Sequence, residues 1–222
     1  MLTSVLAGLS ILVIGDSHLT SNYLITTLHD DLSNKGAQVH TIGVCGANAG
    51  DWLKETPGTC GGAERVGKGK ITYGGKAAKT VPIGQLLQKD KPDLVVIVMG
   101  DTMAGYTTPQ FPKTWIWQQV TSLTKTIASN QTACVWVGPA WGSEGGKYQK
   151  TFARVKMMSS FLSSNVAPCT YIDSLTFSKP GAWTTTDGQH FTATGYKAWG
   201  DAIVQKLVEL PNVQAAAKTA KP

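Results

Sequence analysis

The stretch LSILVIGDSHLTSNYL, residues Leu9 to Leu24, decides how this chain is read. An apolar run from Ile11 to Gly15 leads straight into Asp16-Ser17-His18. Apolar residues in unbroken succession, without polar alternation, are the pattern of a strand covered on both faces in a parallel sheet. That strand ends on a small hydroxyl residue with polar neighbours on either side. Two readings of Ser17 compete. It is an ordinary helix cap, its hydroxyl accepting a first-turn N–H, or it is a nucleophile held at the mouth of a sheet.

Outward from this stretch, further strand-like runs occur at residues 39–44, 94–99, 134–137 and 171–172. Helical patterns lie between them. Residues 21–34 end at the stop signal Asn34-Lys35-Gly36. A short piece at 83–89 precedes Pro92, and apolar residues recur at helical spacing over 115–129 and 147–163. Residues 194–210 carry Tyr196, Trp199, Ile203, Leu207 and Leu210 on one stripe, closed by Pro211. Strands alternating with helices predict an α/β fold with a central parallel sheet covered on both faces. Residues 1–211 read as a single domain. Residues 55–81 break the alternation as a long insertion, and residues 212–222 read as a frayed, flexible tail.

The 222 residues, 42% hydrophobic and only 15% charged, suffice for one sizeable core. The net charge of +6 is concentrated in Arg65, Lys68, Lys70, Lys76 and Lys79, interleaved with glycines. Such a basic segment attracts polyanions, but no aromatic ladder or nucleic-acid motif accompanies it. It is expected to be a solvated loop, and no nucleic-acid partner is expected. No apolar run reaches the ~20 residues that span a bilayer. The first residues look like part of a signal segment without a basic start, and their apolar side chains are needed for the first strand.

Four cysteines, Cys45, Cys60, Cys134 and Cys169, form no C-x-x-C pair and no zinc spacing. The simplest pairing is Cys45–Cys60, clipping a loop, and Cys134–Cys169, joining two strand ends. Each bridge would stabilise by ~3–4 kcal/mol on the chain-entropy argument. If both form, the protein belongs in an oxidising compartment, the periplasm or the cell exterior.

In an open parallel sheet, ligands gather where the strands end in their carboxyl termini. Asp16, Ser17 and His18 follow the first run, Gly46 and Asn48 the second, and Gly100, Asp101 and Thr102 the third. Trp141 follows the fourth and Asp173 the fifth. His29 and His40 lie within a helix and a strand and read as structural. His190 lies in Asp187-Gly188-Gln189-His190, just before the last helix. That spacing lets one short loop present an acid and an imidazole together, the carboxylate holding the ring while its other nitrogen meets a hydroxyl. Asp101 and Asp173 are rival acids for His190.

From Leu12 to about Leu210 the chain resembles the SGNH/GDSL hydrolases. Gly15-Asp16-Ser17-His18 resembles the family's nucleophile block. GVCGANAGDW, residues 43–52, brings Gly46 to the family's oxyanion glycine, and Asp187-Gly188-Gln189-His190 matches its acid and base. The resemblance implies a three-layer α/β/α flavodoxin-like sandwich and ester chemistry, with Ser17, Asp187 and His190 catalytic and no metal or cofactor. It also implies oxyanion donors from the N–H groups of Ser17 and Gly46. One block departs. Gly100-Asp101-Thr102-Met103 stands where the family has Gly-x-Asn-Asp, so Thr102 occupies the place of an oxyanion amide. Its hydroxyl is shorter and rotates, and losing one oxyanion donor can cost ~3–4 kcal/mol.

Loop tryptophans Trp141 and Trp183 are candidates for a sugar-binding wall, with Asp101 and His18 as further substrate contacts. Singly, each tryptophan also reads as packing beneath a loop. Three functions follow: an esterase removing small acyl groups, foremost acetyl, from a polysaccharide or glycan; an O-acetyltransferase on such a glycan, suggested by Thr102; and a non-catalytic glycan-binding relative. The expected partner is an acylated carbohydrate or small ester; the oligomeric state is left open.

Overall fold

The computed structural model describes residues 5–220. Seven strands form one sheet: β1 Ser10–Gly15, β2 Gln38–Val44, β3 Gly62–Val66, β4 Thr72–Tyr73, β5 Leu94–Val98, β6 Ala133–Val137 and β7 Thr170–Ile172, in the spatial order β4-β3-β2-β1-β5-β6-β7. The five strands from β2 to β7 through β1 run parallel, with Gly15 opposite Gly43 on one side and Val98 on the other. The apolar runs read from the sequence are these parallel strands, buried on both faces.

Helices cover each face. On one lie α1 Leu24–Asn34 and α5 Ala193–Glu209, with Leu24, Leu28, Tyr196, Trp199 and Ile203 packed on Ile11 and Val13 of β1. On the other lie α2 Ile83–Asp90, α3 Lys113–Ser129 and α4 Phe152–Asn165, whose Ile83, Ile116, Val120 and Met158 pack on Leu12 and Ile14. Alternate residues of β1 thus serve opposite cores, as the two-residue period of a strand requires. Both cysteine pairs are disulfides, Cys45–Cys60 and Cys134–Cys169. No helix among the described residues is long and apolar enough to cross a membrane.

Three expectations are corrected. The insertion at 55–81 is more than a solvated loop: it carries β3 and β4, which extend the sheet antiparallel beyond β2. The tail is a further helix, α6 Pro211–Thr219, with Val213 fully buried. Pro211 closes the stripe of α5 and opens α6, because a proline at the first helical position lacks only an N–H that would be unpaired there. Residues 147–151, expected within a helix, precede it. Thr151 caps α4 by accepting the Arg154 N–H at 3.2 Å, and residues 142–150 form an irregular strap over the strand ends.

Candidate active site

The strand-to-turn junction after β1 is built by close approach. A Cβ on Gly15 would meet the Val98 carbonyl at 2.5 Å, and one on Gly43 would meet Leu19 at 2.5 Å. Only glycines let the turn at 16–19 sit down on the neighbouring strand ends. Asp16 caps that turn, its Oδ1 accepting the His18 N–H at 3.1 Å. The cap is therefore Asp16, and the Ser17 side chain is left for another partner.

That partner is His190. Its Nε2 lies 2.7 Å from Ser17 Oγ, and its Nδ1 lies 2.7 Å from Asp187 Oδ2. Asp187 Oδ1 accepts the N–H groups of Gln189 at 3.0 Å and His190 at 2.8 Å. Burial works against the charge of Asp187, but these bonds from His190 and Gln189 prevail and hold its carboxyl below its ordinary range. Burial pushes the His190 imidazole below its ordinary value, aided by neighbouring His18 and opposed by Asp187. The rival Asp173 is elsewhere, accepting from Ser159 at 2.8 Å and capping the turn at 174–176.

Ser17 and Gly46 line one cleft. Among the described residues, the N–H groups of Ser17 and Gly46 have no protein acceptor. Gly46 sits at φ +79°, and a Cβ there would collide with the Thr59 hydroxyl, so the position requires glycine. The Cys45–Cys60 disulfide and the Thr59 N–H to Cys45 carbonyl bond, 2.9 Å, brace this loop. Thr102 lines the same cleft, but its hydroxyl donates to the Ala47 carbonyl at 2.9 Å.

The cleft above Ser17 has a volume of about 530 Å³. Its aromatic walls are Tyr106 and Tyr148, the latter edge-on to His190 at 5.4 Å, with exposed Lys147 at the rim. The two tryptophans expected there are not in the lining. Trp141 is buried, its Nε1–H shared by the carbonyls of Leu175 and Ser178. Trp183 packs edge-on against Phe191 at 5.6 Å. Apolar area drew both inward, the alternative already evident for each tryptophan taken singly. His18 is buried beneath the site, bonded through Nδ1 to the Tyr196 hydroxyl at 2.9 Å and through Nε2 to Asp101 at 2.8 Å. Asp101 borders the cleft floor but is buried and engaged there by His18, Tyr106 and Lys150.

The sequence reading missed Tyr106, which lies on a segment without a periodic pattern, and Tyr148 and Lys150, which it placed in the first turn of a helix that begins only at Phe152. Among the described residues, no three His, Cys, Asp or Glu side chains stand within reach of one metal ion.

No protein-family model matches the chain. It is 44% identical to protein BcsX of Komagataeibacter xylinus over 219 residues, 97% of this chain and 83% of that one. Solved structures share the fold at low identity. A GDSL-like lipase from Bacteroides thetaiotaomicron VPI-5482 superposes with a TM-score of 0.57 at 13% identity, over 90% of this chain and 87% of its own. A catalytic mutant of an acetylxylan esterase from Geobacillus stearothermophilus superposes with a TM-score of 0.54 at 13% identity, over 90% and 94% respectively.

Proposed function

Because the chain belongs to the family of protein BcsX and has the SGNH/GDSL hydrolase fold, we propose that it is a serine esterase that removes small acyl groups, foremost acetyl, from a carbohydrate. The observation that carries this reading is the unbroken hydrogen-bond chain from Ser17 Oγ through His190 to Asp187, 2.7 Å at each link.

In the first step His190 Nε2 takes the Ser17 proton as Oγ attacks the acyl carbonyl. Asp187 holds the ring so that Nδ1–H faces its carboxylate and Nε2 faces the hydroxyl. The carbonyl oxygen becomes an oxyanion, met by the free N–H groups of Ser17 and Gly46. His190 returns its proton to the departing sugar oxygen, leaving an acyl-enzyme. Water, deprotonated by the same imidazole, then releases the acid and restores Ser17.

The substrate class is argued from the cleft and the fold. The cleft is open and mixes apolar surface with hydrogen-bonding groups of Thr59, Thr102, Tyr106, Lys147 and Tyr148, which suits a short acyl group on a hydroxyl-rich carrier. The acetylxylan esterase named above shares the fold and acts on such a carrier. Two disulfides suit an oxidising compartment, the periplasm or the cell exterior.

The test is p-nitrophenyl acetate turnover by wild type and Ser17→Ala, followed by acetate release from an acetylated oligosaccharide. Ser17-dependent release in both supports the esterase. Activity retained by Ser17→Ala removes Ser17 as nucleophile. Ser17-dependent transfer of acetyl to an added oligosaccharide, exceeding loss to water, makes the protein a transferase instead.

A further inference from the structure

The mechanism above leaves a buried ionic cluster unused. Lys150 is fully buried, where an ammonium is tolerated only if matched by charge and hydrogen bonds. Its Nζ donates to Asp101 Oδ2 at 3.0 Å, lies 2.9 Å from Oδ1, and donates to the Ala140 carbonyl at 2.9 Å. The same carboxylate accepts the His18 Nε2–H at 2.8 Å and the Tyr106 hydroxyl.

One carboxylate thus ties together the three segments that frame the cleft. His18 belongs to the nucleophile turn, Tyr106 to the segment after β5, and Lys150 to the strap at 142–150. The strap in turn grips the acid–base loop by its backbone. The Ser143 N–H donates to the Gly188 carbonyl and the Lys147 N–H to the Asp187 carbonyl, both at 2.9 Å. Side chains would spoil this seam: a Cβ on Gly142 would meet the Gly188 carbonyl at 2.5 Å. The His18 ring stands 5.1 Å from the His190 ring.

We infer that Lys150 and Asp101 form a mutually neutralising buried pair whose role is to position His190 and set its strength as a base, acting through His18 and the strap. The inference rests on the esterase reading above. Lys150, Asp101 and His18 are positioning residues, since none meets Ser17 Oγ.

Charge arithmetic makes this testable. His190 meets Ser17 and the His18 ring from the first turn, which also carries Asp16, and senses Asp101 from the segment after β5, which also carries Tyr106. From the strap, which also carries Lys147 and Lys150, Tyr148 stands edge-on to its ring; Asp187 bonds it on its own loop, and α5 carries Tyr196. Asp101 draws His190 toward imidazolium, and on this inference the Lys150 ammonium seated on the same carboxylate offsets that pull. Replacing Lys150 by methionine leaves the carboxylate unmatched, so His190 holds its proton to higher pH. Replacing Asp101 by asparagine leaves the ammonium unmatched, so His190 loses its proton at lower pH. A pair that only props the fold weakens both variants without moving the two profiles in opposite directions.

The experiment is kcat/KM against pH for p-nitrophenyl acetate, whose acid limb reports the free enzyme's base. It is joined to NMR titration of the His190 Cε1–H in wild type, Lys150→Met, Asp101→Asn and the double variant. The limb is expected to rise by about one pH unit in Lys150→Met and fall by about one in Asp101→Asn, each a tenfold change in proton affinity. The double variant, which removes both charges of the pair together, returns to the wild-type position. If a single variant does not fold, His18→Gln, which keeps an N–H donor toward Asp101, is titrated instead and its limb is expected to rise. Shifts of one sign in both single variants, or an unmoved His190 titration, overturn the inference. Turnover independent of Ser17 defeats the esterase reading, whereas Ser17-dependent turnover with an unmoved titration defeats this inference alone.

Discussion

The hydroxyl of Thr102 donates to the carbonyl of Ala47 at 2.9 Å. A side chain in the place of a family oxyanion amide is thereby committed to the backbone beside Gly46. It braces the loop that carries Gly46, and the hydroxyl proton is engaged by that carbonyl. On the esterase reading, the proposed oxyanion donors are then the N–H groups of Ser17 and Gly46.

Thr102→Val should accordingly cost about 1 kcal/mol of stability, the ordinary value of a lost hydrogen bond. Its kcat/KM should fall by less than the ~100-fold that follows removal of a direct oxyanion donor, and Thr102→Ser should restore it. Thermal melts and steady-state kinetics check both. A hundredfold loss with an unchanged Tm would place the hydroxyl on the oxyanion after all.

The acid and the base should separate in magnitude. His190→Ala deletes the proton acceptor and should lower kcat by on the order of 10⁶, while Asp187→Asn should lower it by on the order of 10⁴. Asparagine retains an oxygen for the N–H groups of Gln189 and His190, but its amide opposes the required tautomer of the ring. Single-turnover kinetics on an activated ester resolves the two. A silent Asp187→Asn would reassign the acid.

The two disulfides should differ in their effects. Each closes a loop, of sequence separation 15 for Cys45–Cys60 and 35 for Cys134–Cys169, and each should contribute about 3–4 kcal/mol. Removing Cys134–Cys169 by paired alanines should lower Tm and leave kcat/KM at 25 °C near wild type. Removing Cys45–Cys60 should lower both, because Gly46 adjoins Cys45. Equal kinetic losses in the two variants would contradict the assignment of Gly46.

Asp16 should make stability fall with pH. Burial pushes its carboxyl up to about 6, against the N–H and charge of His18, and its Oδ2 has no partner among the described residues. The folded value exceeds the unfolded value of 3.8. The folded state therefore binds this proton more tightly, and the contribution is full below about pH 4 and lost as pH rises through about 6. The change amounts to about 3 kcal/mol. Asp16→Asn should raise stability at pH 8 and change it little at pH 4, measured by urea unfolding. Equal effects at both values would count against this account.

Much of the fold and part of the site were legible before any coordinates. The parallel strands declare themselves by continuous apolar runs, and α5 by a stripe at helical spacing. The grouping of Ser17, Asp187 and His190, which hydrogen bonds join, was legible because each lies in a short local motif at a strand end or before a helix. Two cysteine pairings could be read because one clips a loop and the other joins strand ends. Lys150 was not legible. It is one of many lysines, and nothing near it in the chain announces that its ammonium will be buried against a carboxylate 49 residues away. Trp141 and Trp183 were misplaced because an exposed-looking loop residue and a packed one share the same composition.

Local pattern, then, determined the succession of strands and helices along the chain, the turn that carries Ser17 and the loop that carries Asp187 and His190, since strand burial, glycine close approach and a D-x-x-H spacing act over a few residues. Tertiary structure alone decided which residues complete the site. Folding brought His18, Tyr106 and Lys150 onto the Asp101 carboxylate, laid the 142–150 strap along the loop of Asp187, turned α6 onto the core and extended the sheet with β3 and β4. These outcomes depend on where separate segments bury their apolar surface and which buried charges they must match, and both are settled only when the segments meet.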